Sequence, residues 1–313
     1  MLKSSESSNK YQDKWESRSS IRTRPRKFID FTQEGNFFPH DKQVLLLFPE
    51  IKSLGIDVTK EILIQLFRKY LNDIINLEIK LIYTACNKII YDKLIIDYSK
   101  TDKLNAHTII IDEYYHVYVA QDMLQQLDDH FTGLSQFDYP VSDSYNSVMI
   151  IKERLDRKYQ DMFEILAVCI FETTLVKELV EFFDSKDVHP SIKYYVNDHM
   201  NDEAKHYGFF YDLLCYTWNN LPDDYKQNIG KELADFVKLY LNIDSEKEFN
   251  RQLLNYYLKD KILTNQLIDK AYHGFDITPE IPIVKNVLKV LKQSGILDSI
   301  YVRDEFIKNN LYV

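Results

Sequence analysis

The sequence predicts an all-α protein built on a four-helix bundle. Three observations carry that expectation. Apolar residues recur at helical spacing over long segments; glycine and proline number only 7 and 8 in 313 residues; and two Asp-Glu-x-x-His motifs stand about ninety residues apart. The motifs are Asp112-Glu113-Tyr114-Tyr115-His116 and Asp202-Glu203-Ala204-Lys205-His206. On a helix, Glu and His spaced i, i+3 project from one face, and His199, one turn ahead of Glu203, joins the second stripe. Glu-x-x-His on each of two helices, with a lone Glu from each of two others, is the inward-facing ligand set of di-iron and di-manganese bundles.

The elements follow in order. Residues 1–28 are polar, with a basic cluster at Arg18, Arg22, Arg24, Arg26 and Lys27. They read as a solvated arm; a sharper reading packs the arm across the body or into a dimer contact. Phe37-Phe38-Pro39 and Phe48-Pro49 punctuate an irregular lead-in. The first helix is expected over 59–90. There Leu71, Ile74, Ile75, Leu81, Ile82 and Ala85 share the face of Glu78, and no Lys or Arg stands on that stripe. A buried ionised carboxylate is costly unless a cation meets it, which makes Glu78 a candidate ligand.

The second helix is expected over 104–129, with Ile109, Ile110, Val117 and Ala120 beside Glu113 and His116. A connection at 137–144 contains Pro140. One long helix is then expected over 146–183, with Glu172 among Ile165, Val168, Cys169, Leu175 and Val176. The fourth core helix opens at 187–190 and carries His199, Glu203 and His206. Helices starting at 221 and near 246–270, 279–294 and 298–309 are accessory. Residues 29–313 thus read as one domain, with the core bundle over about 59–216 and the accessory helices over 221–313.

Composition excludes several classes. A net charge of −9 argues against nucleic-acid binding, which needs a basic face. No apolar run approaches the roughly 18–20 residues that span a bilayer, so no membrane partner is expected. Cys86, Cys169 and Cys215 lack paired spacing, which fits a reducing cytoplasm. The start of the chain lacks the apolar core of a signal peptide, and Glu6, Asp13 and Glu16 make it a poor transit peptide, so a cytoplasmic protein is expected. His40, His107, His130, His189 and His273 lie off the ligand stripes and read as surface or capping residues, and Cys169 as a small core residue.

One Glu-x-x-His motif arises by chance in a chain this long. Two, each preceded by Asp, each on an amphipathic helix and each with a buried-face Glu upstream, make a strong signal. A metal-free polar network would have to satisfy every member. Zinc suits four carboxylates less well than a harder, redox-active pair does. Asp112 and Asp202 sit about 100° off the ligand stripes. They are expected to accept the outer N–H of the opposite motif's histidine, Asp112 from His206 and Asp202 from His116.

Phe171-Glu172-Thr173-Thr174-Leu175 and the run from Asp198 to His206 resemble the p-aminobenzoate N-oxygenase family of di-iron amine oxygenases, within the ferritin-like superfamily. The segment around Asp112–His116 resembles its first motif. A weaker likeness takes in 18–22 and Phe37-Phe38-Pro39, so the resemblance covers about residues 15–215. It implies a ferritin-like bundle holding two Fe ions on Glu78, Glu113, His116, Glu172, His199, Glu203 and His206. His199 is the additional histidine that generic ferritin-like di-iron proteins lack. The resemblance further implies O2-dependent oxidation of a small amine to a hydroxylamine, nitroso or nitro product, and a homodimer. With no flavin or nicotinamide fingerprint present, electrons would come from an external donor, a reductase or ferredoxin. A di-iron C–H hydroxylase or desaturase, a ferritin-like ferroxidase or iron-binding protein, and a partner-binding bundle are the alternatives; His199 argues against the ferroxidase. If the amine bore a carboxylate, Arg would be its usual partner. After the final ligand only Arg251 and Arg303 occur, each beside acids. The expected pocket is therefore apolar and tyrosine-lined, favouring a neutral or zwitterionic amine over a simple aryl carboxylate.

Overall fold

The computed structural model describes Tyr11, Lys14, Trp15 and residues 17–174 and 181–312, apart from the side chain of Arg22. Among them there is no strand, only an isolated parallel bridge between Asn36 and Val188. Helix α1 (Ile56–Leu77) passes through a five-residue π turn, Glu78–Ile82, into α2 (Tyr83–Tyr91). Helix α3 (Lys100–His130) starts from a capping box in which Ser99 and Asp102 satisfy each other's backbone N–H. Helix α4 spans Asp143–Arg154, α5 Arg157–Glu172 and α6 Pro190–Asn220. Pro190 takes the first position of α6, where a missing N–H costs nothing, and the His189 ring accepts from the Ser191 N–H as N-cap.

The single helix expected over 146–183 is not found. Leu155 and Asp156 are extended (ψ 140° and 144°) and divide it into α4 and α5. Apolar spacing continues across the break because Leu155 is itself buried, while α4 turns away to pack on a later helix. Helix α5 ends at Glu172. Residues 175–180, including Leu175 and Val176, lie outside the described residues, and 181–183 are again helical.

Helices α1 and α2 pack on α3, α6 packs on α5, and contacts of α2 with α5 and of α3 with α6 close the bundle. Two apolar clusters give the helix directions. The first contains Leu81 and Ala85 from beyond Glu78, Ile109 from before Glu113, Ile165 and Phe171 from before Glu172, and Phe210 from beyond His206. The second contains Leu71 and Ile74, Ala120 and Met123, and Val196 and Met200, from the opposite sides of the same acids and histidines. Helices α1 and α6 therefore run one way and α3 and α5 the other, with the candidate ligands at a level between two dry cores. Helix α4 makes the return from the end of α3 to the start of α5, the long crossover by which a bundle can leave the simple up-down pattern.

Helices α7 (Asp223–Tyr240), α8 (Asp244–Leu258), α9 (Lys261–Ala271), α10 (Pro282–Gln293) and α11 (Ile300–Lys308) form the accessory part. Helix α7 joins it to the bundle, packing on α4, α5 and α11. The described residues of the N-terminal arm lie against the body, with Tyr11, Trp15, Ser19 and Ser20 buried. No described helix is long and apolar enough to cross a membrane.

Candidate metal centre

All seven residues singled out above are buried and converge. Glu78 opens the π turn, a helix irregularity often found at functional positions. Glu113 and His116 lie on α3, Glu172 is the last residue of α5, and His199, Glu203 and His206 lie on α6. They form two groups, Glu78–His116–His199–Glu203 and Glu113–Glu172–Glu203–His206, and within each group the candidate ligand atoms are within 4.8 Å of one another.

Two carboxylates span the groups. Glu113 puts Oε2 3.2 Å from His116 Nδ1 and Oε1 3.2 Å from His206 Nδ1. Glu203 repeats the pattern, its Oε1 3.2 Å from His116 Nδ1 and its Oε2 3.2 Å from His206 Nδ1. His199 Nε2 is 3.1 Å from Glu78 and 3.1 Å from Glu203. On the outer side, His206 Nε2 meets Asp112 Oδ2 at 3.3 Å and His116 Nε2 meets Asp202 Oδ2 at 3.4 Å.

This arrangement demands cations. A neutral imidazole has one N–H, and here the aspartates take it at Nε2. Each Nδ1 then aims a lone pair at carboxylate oxygens, a repulsive contact unless a second proton or a metal ion stands between. Glu78 Oε2, Glu113 Oε1 and Glu172 Oε2 are buried without a hydrogen-bond donor among the described residues. Glu164, also on α5, gives the contrast: it is equally buried and its Oε1 likewise lacks a partner, but its Oε2 meets both Lys88 and Lys152. The described residues thus supply ammonium groups to a structural carboxylate and none to these three. The residues fit a pair of hard metal ions with mixed carboxylate and imidazole donors.

The electrostatics agree. Burial pushes the Glu78 carboxyl up to about 7 against the opposing hydrogen bond of His199. Burial and the neighbouring Glu203 and Glu113 charges raise Glu172 well above the usual range. Burial alone would lower the His116 and His206 rings, but the carboxylates around them outweigh it and hold both well above the ordinary value. His199 is raised to about 9 by Glu203 and Glu78, against its own burial and His116.

Sequence reasoning missed three neighbours of the cluster. Trp15 Nε1 donates to Asp112 Oδ2 at 2.6 Å. The hydroxyls of Tyr70 and Tyr195 are buried without a hydrogen-bond partner among the described residues, and both groups are raised by burial and by the charges of Glu78 and Glu203. Tyr70 stands two turns before Glu78 and Tyr195 one turn before His199, so the i−4 and i−8 positions were the available signal. Of the other histidines, His189 is the buried N-cap of α6 and His130 stacks on Phe31 at 3.7 Å.

No curated protein matches the chain. A family model described as p-aminobenzoate N-oxygenase AurF matches residues 25–253, which spans the arm's inner end, the whole bundle and α7, and ends within α8. The chain belongs to the p-aminobenzoate N-oxygenase AurF family, and is a di-iron N-oxygenase of ferritin-like fold.

Proposed function

We propose that Glu78, Glu113, His116, Glu172, His199, Glu203 and His206 hold the two irons, and that the enzyme oxidises the nitrogen of a small aromatic amine of the aminobenzoate type. The single observation that carries the ligand set is the double bridge: Glu113 and Glu203 each turn one oxygen to His116 and the other to His206. When bound, the irons supply the reduction of O2. The chain's own residues hold the ligands, keep water out and bring the amine alongside. Asp112 and Asp202 fix the tautomers of the two bridged histidines, so their Nδ1 atoms face inward.

A cavity of about 400 Å³ lies along α1 and extends to Leu77, the residue before Glu78, without any of the seven candidate ligands on its lining. Tyr70, Ile74 and Leu77 line it. Opposite them Tyr240 lines it and shares a hydrogen bond with Thr174, two residues beyond Glu172. Phe182 and Phe183 complete an apolar wall, and the Lys69–Asp73 ion pair (2.5 Å) stands on the same lining. A flat aromatic amine fits such a slot, its ring against Phe and Tyr and a carboxylate, where it has one, toward Lys69.

The deciding experiment is anaerobic reconstitution with Fe(II), followed by O2 and reductant over a panel of amines, with 18O2 and mass spectrometry of the products. Two irons per chain and 18O on nitrogen are expected, with occupancy lowered in Glu172→Ala and His206→Ala. Label on carbon, or full iron loading in both variants, would refute the assignment.

A further inference from the structure

The N-terminal arm roofs the cluster on the side of His116 and His199. A cavity of about 10 Å³, room for about one water, is lined by Tyr115, His116, Tyr195 and His199 from α3 and α6 and by Ser20 and Lys27 from the arm. Between Trp15 and Ile29 the buried residues among those described are Ser19, Ser20 and Lys27, all polar, while Ile21 and Phe28 are 44% and 65% exposed. No described apolar side chain pins this stretch to the body. Its ties are ion pairs and hydrogen bonds, and they meet at Asp198, the residue before His199. Asp198 takes Lys27 Nζ at 2.5 Å and the Arg24 guanidinium, and the Ser20 hydroxyl stands 3.5 Å off. Farther along, Arg26 donates to Asp122 at 2.9 Å and the Ile29 N–H donates to Gln126 at 2.8 Å.

We propose that residues 20–29 are a strap over the metal entrance, latched at Asp198, and that a divalent cation reaches His199 and His116 when the latch opens. The proposal rests on the two-metal reading of the cluster given above. With the strap down, the space beside the two imidazoles is too small for a hydrated cation, and the arm's charges nearest to it, Arg24 and Lys27, are themselves positive. A segment held by polar ties opens at low cost, because its groups exchange their partners for water, whereas lifting a core helix would expose an apolar face. Opening also reverses the charge of the entrance: Arg24 and Lys27 leave with the arm, and Asp198 stays on α6 one residue from His199. The latch is sensitive from both sides. Without the two cations, closing the strap covers Asp198 unpaired; without the carboxylate, it covers Lys27 unpaired, whose side chain is only 2% exposed. A covered, unpaired charge is costly, so either change favours the open arm. The strap supplies none of the seven candidate ligands, so it governs the rate of entry more than the final affinity.

The test is stopped-flow uptake of Co(II) by the metal-free full chain, read from its visible ligand-field bands, together with hydrogen–deuterium exchange of the peptides covering 20–29. Lys27→Gln with Arg24→Gln is expected to speed uptake by about tenfold or more and to raise exchange in the strap by a similar factor. Exchange in α5 and the final Co(II) stoichiometry should stay as they are. Asp198→Asn breaks the same latch from the other partner and is expected to act alike; because both changes remove one interaction, combining them should add little. Arg26→Gln loses only an exposed pair with Asp122 and is expected to change uptake by roughly twofold at most. Uptake at the unmodified rate in both latch variants would overturn the proposal. So would faster exchange in the strap without faster uptake, or an equal gain from Arg26→Gln. Failure of the unmodified chain to bind two Co(II) ions would strike instead at the two-metal reading itself.

Discussion

Asp112 and His206, ninety-four residues apart, meet at 3.3 Å between Oδ2 and Nε2. The contact decides which nitrogen of His206 faces the cluster. Replacing Asp112 with Leu removes the acceptor and frees the ring to rotate or change tautomer. Loss of such a supporting carboxylate typically costs 10–100-fold in metal affinity, so Asp112→Leu is expected to weaken iron binding by roughly that factor. Competition with a chromophoric chelator reads it directly. Asp112→Asn keeps one oxygen for the imidazole N–H and is expected to lose less; equal affinities for the Leu variant and the unmodified protein would remove Asp112 from the argument.

The metal-free chain should have a stability that falls as pH rises. The three histidine rings are raised in the folded state, His199 to about 9 from an ordinary value of 6.5. Stability from a raised imidazole is fully present below 6.5 and is lost as pH climbs through the folded value. Glu78, raised to about 7 from 4.5, acts in the same direction between those two values. Glu203 opposes them: burial raises it, but His206, His116 and His199 hold it well below 4.5, so its contribution disappears only in acid. Between pH 6.5 and 9 the midpoint of thermal unfolding of apo protein is therefore expected to drop. Divalent metal replaces those protons, and with it bound the slope should shrink. A flat apo profile across that interval would contradict the reading of the cluster.

Gly35 supports the start of α6 from outside. Its φ is +152°, and a Cβ there would come within 2.4 Å of the His189 Cα and 2.7 Å of its nitrogen, both backbone atoms. Neighbouring Asn36 exchanges backbone hydrogen bonds with Asp187 and His189, so neither segment can simply step aside. Gly35→Ala is expected to destabilise by about 3 kcal/mol, seen as a lower midpoint in denaturant at unchanged slope. Gly133→Ala is the comparison, having a positive φ of 93° but open space around the missing Cβ. If the two alanines cost the same, backbone conformation and not the approach to His189 is the cause.

How much of this was legible follows from where the information sits. The ligand stripes are local: i, i+3, i+4 and i+7 spacing within one helix predicts which side chains share a face, and burying unpaired acids there needs cations. The crossed placing of Asp112 and Asp202 follows from the same spacing plus the antiparallel meeting of α3 and α6. The π turn at Glu78 is not local in that sense. It adds a residue to a turn without changing residue type, and apolar neighbours on both sides hide the shift. The break at Leu155–Asp156 escaped for a similar reason, since a two-residue extension that keeps Leu155 buried leaves the apolar pattern intact. Trp15 lay within a polar, basic stretch whose composition suggests solvent, and only the fold brings α3 beneath it. Lys69 stands on α1, nine residues before Glu78 and off its stripe, so nothing local marks it as the cation of a cavity.

Lys69 carries the last prediction. Arg251 is tied to Glu248 at 2.5 Å on the surface, and Arg303 is exposed, so neither guanidinium serves the cavity along α1. Lys69 does line that cavity, with a side chain only 10% exposed, and its partner Asp73 is raised by burial despite the ammonium beside it. The pair is neutral as a whole, which suits a zwitterionic or uncharged amine; an aryl carboxylate would have to draw Lys69 away from Asp73. A charge-assisted hydrogen bond contributes about 1.5–3 kcal/mol, so Lys69→Met is expected to raise KM for p-aminobenzoate by roughly 10–100-fold, with kcat and iron content little changed. Lys69→Arg should restore part of the loss, and aniline, which lacks the carboxylate, should be indifferent to all three side chains. Arg251→Ala and Arg303→Ala are expected to be silent. Equal KM values for p-aminobenzoate in the Lys69→Met and unmodified enzymes would show that the carboxylate is held elsewhere or not at all, and a loss confined to an arginine variant would move the substrate to the other side of the molecule.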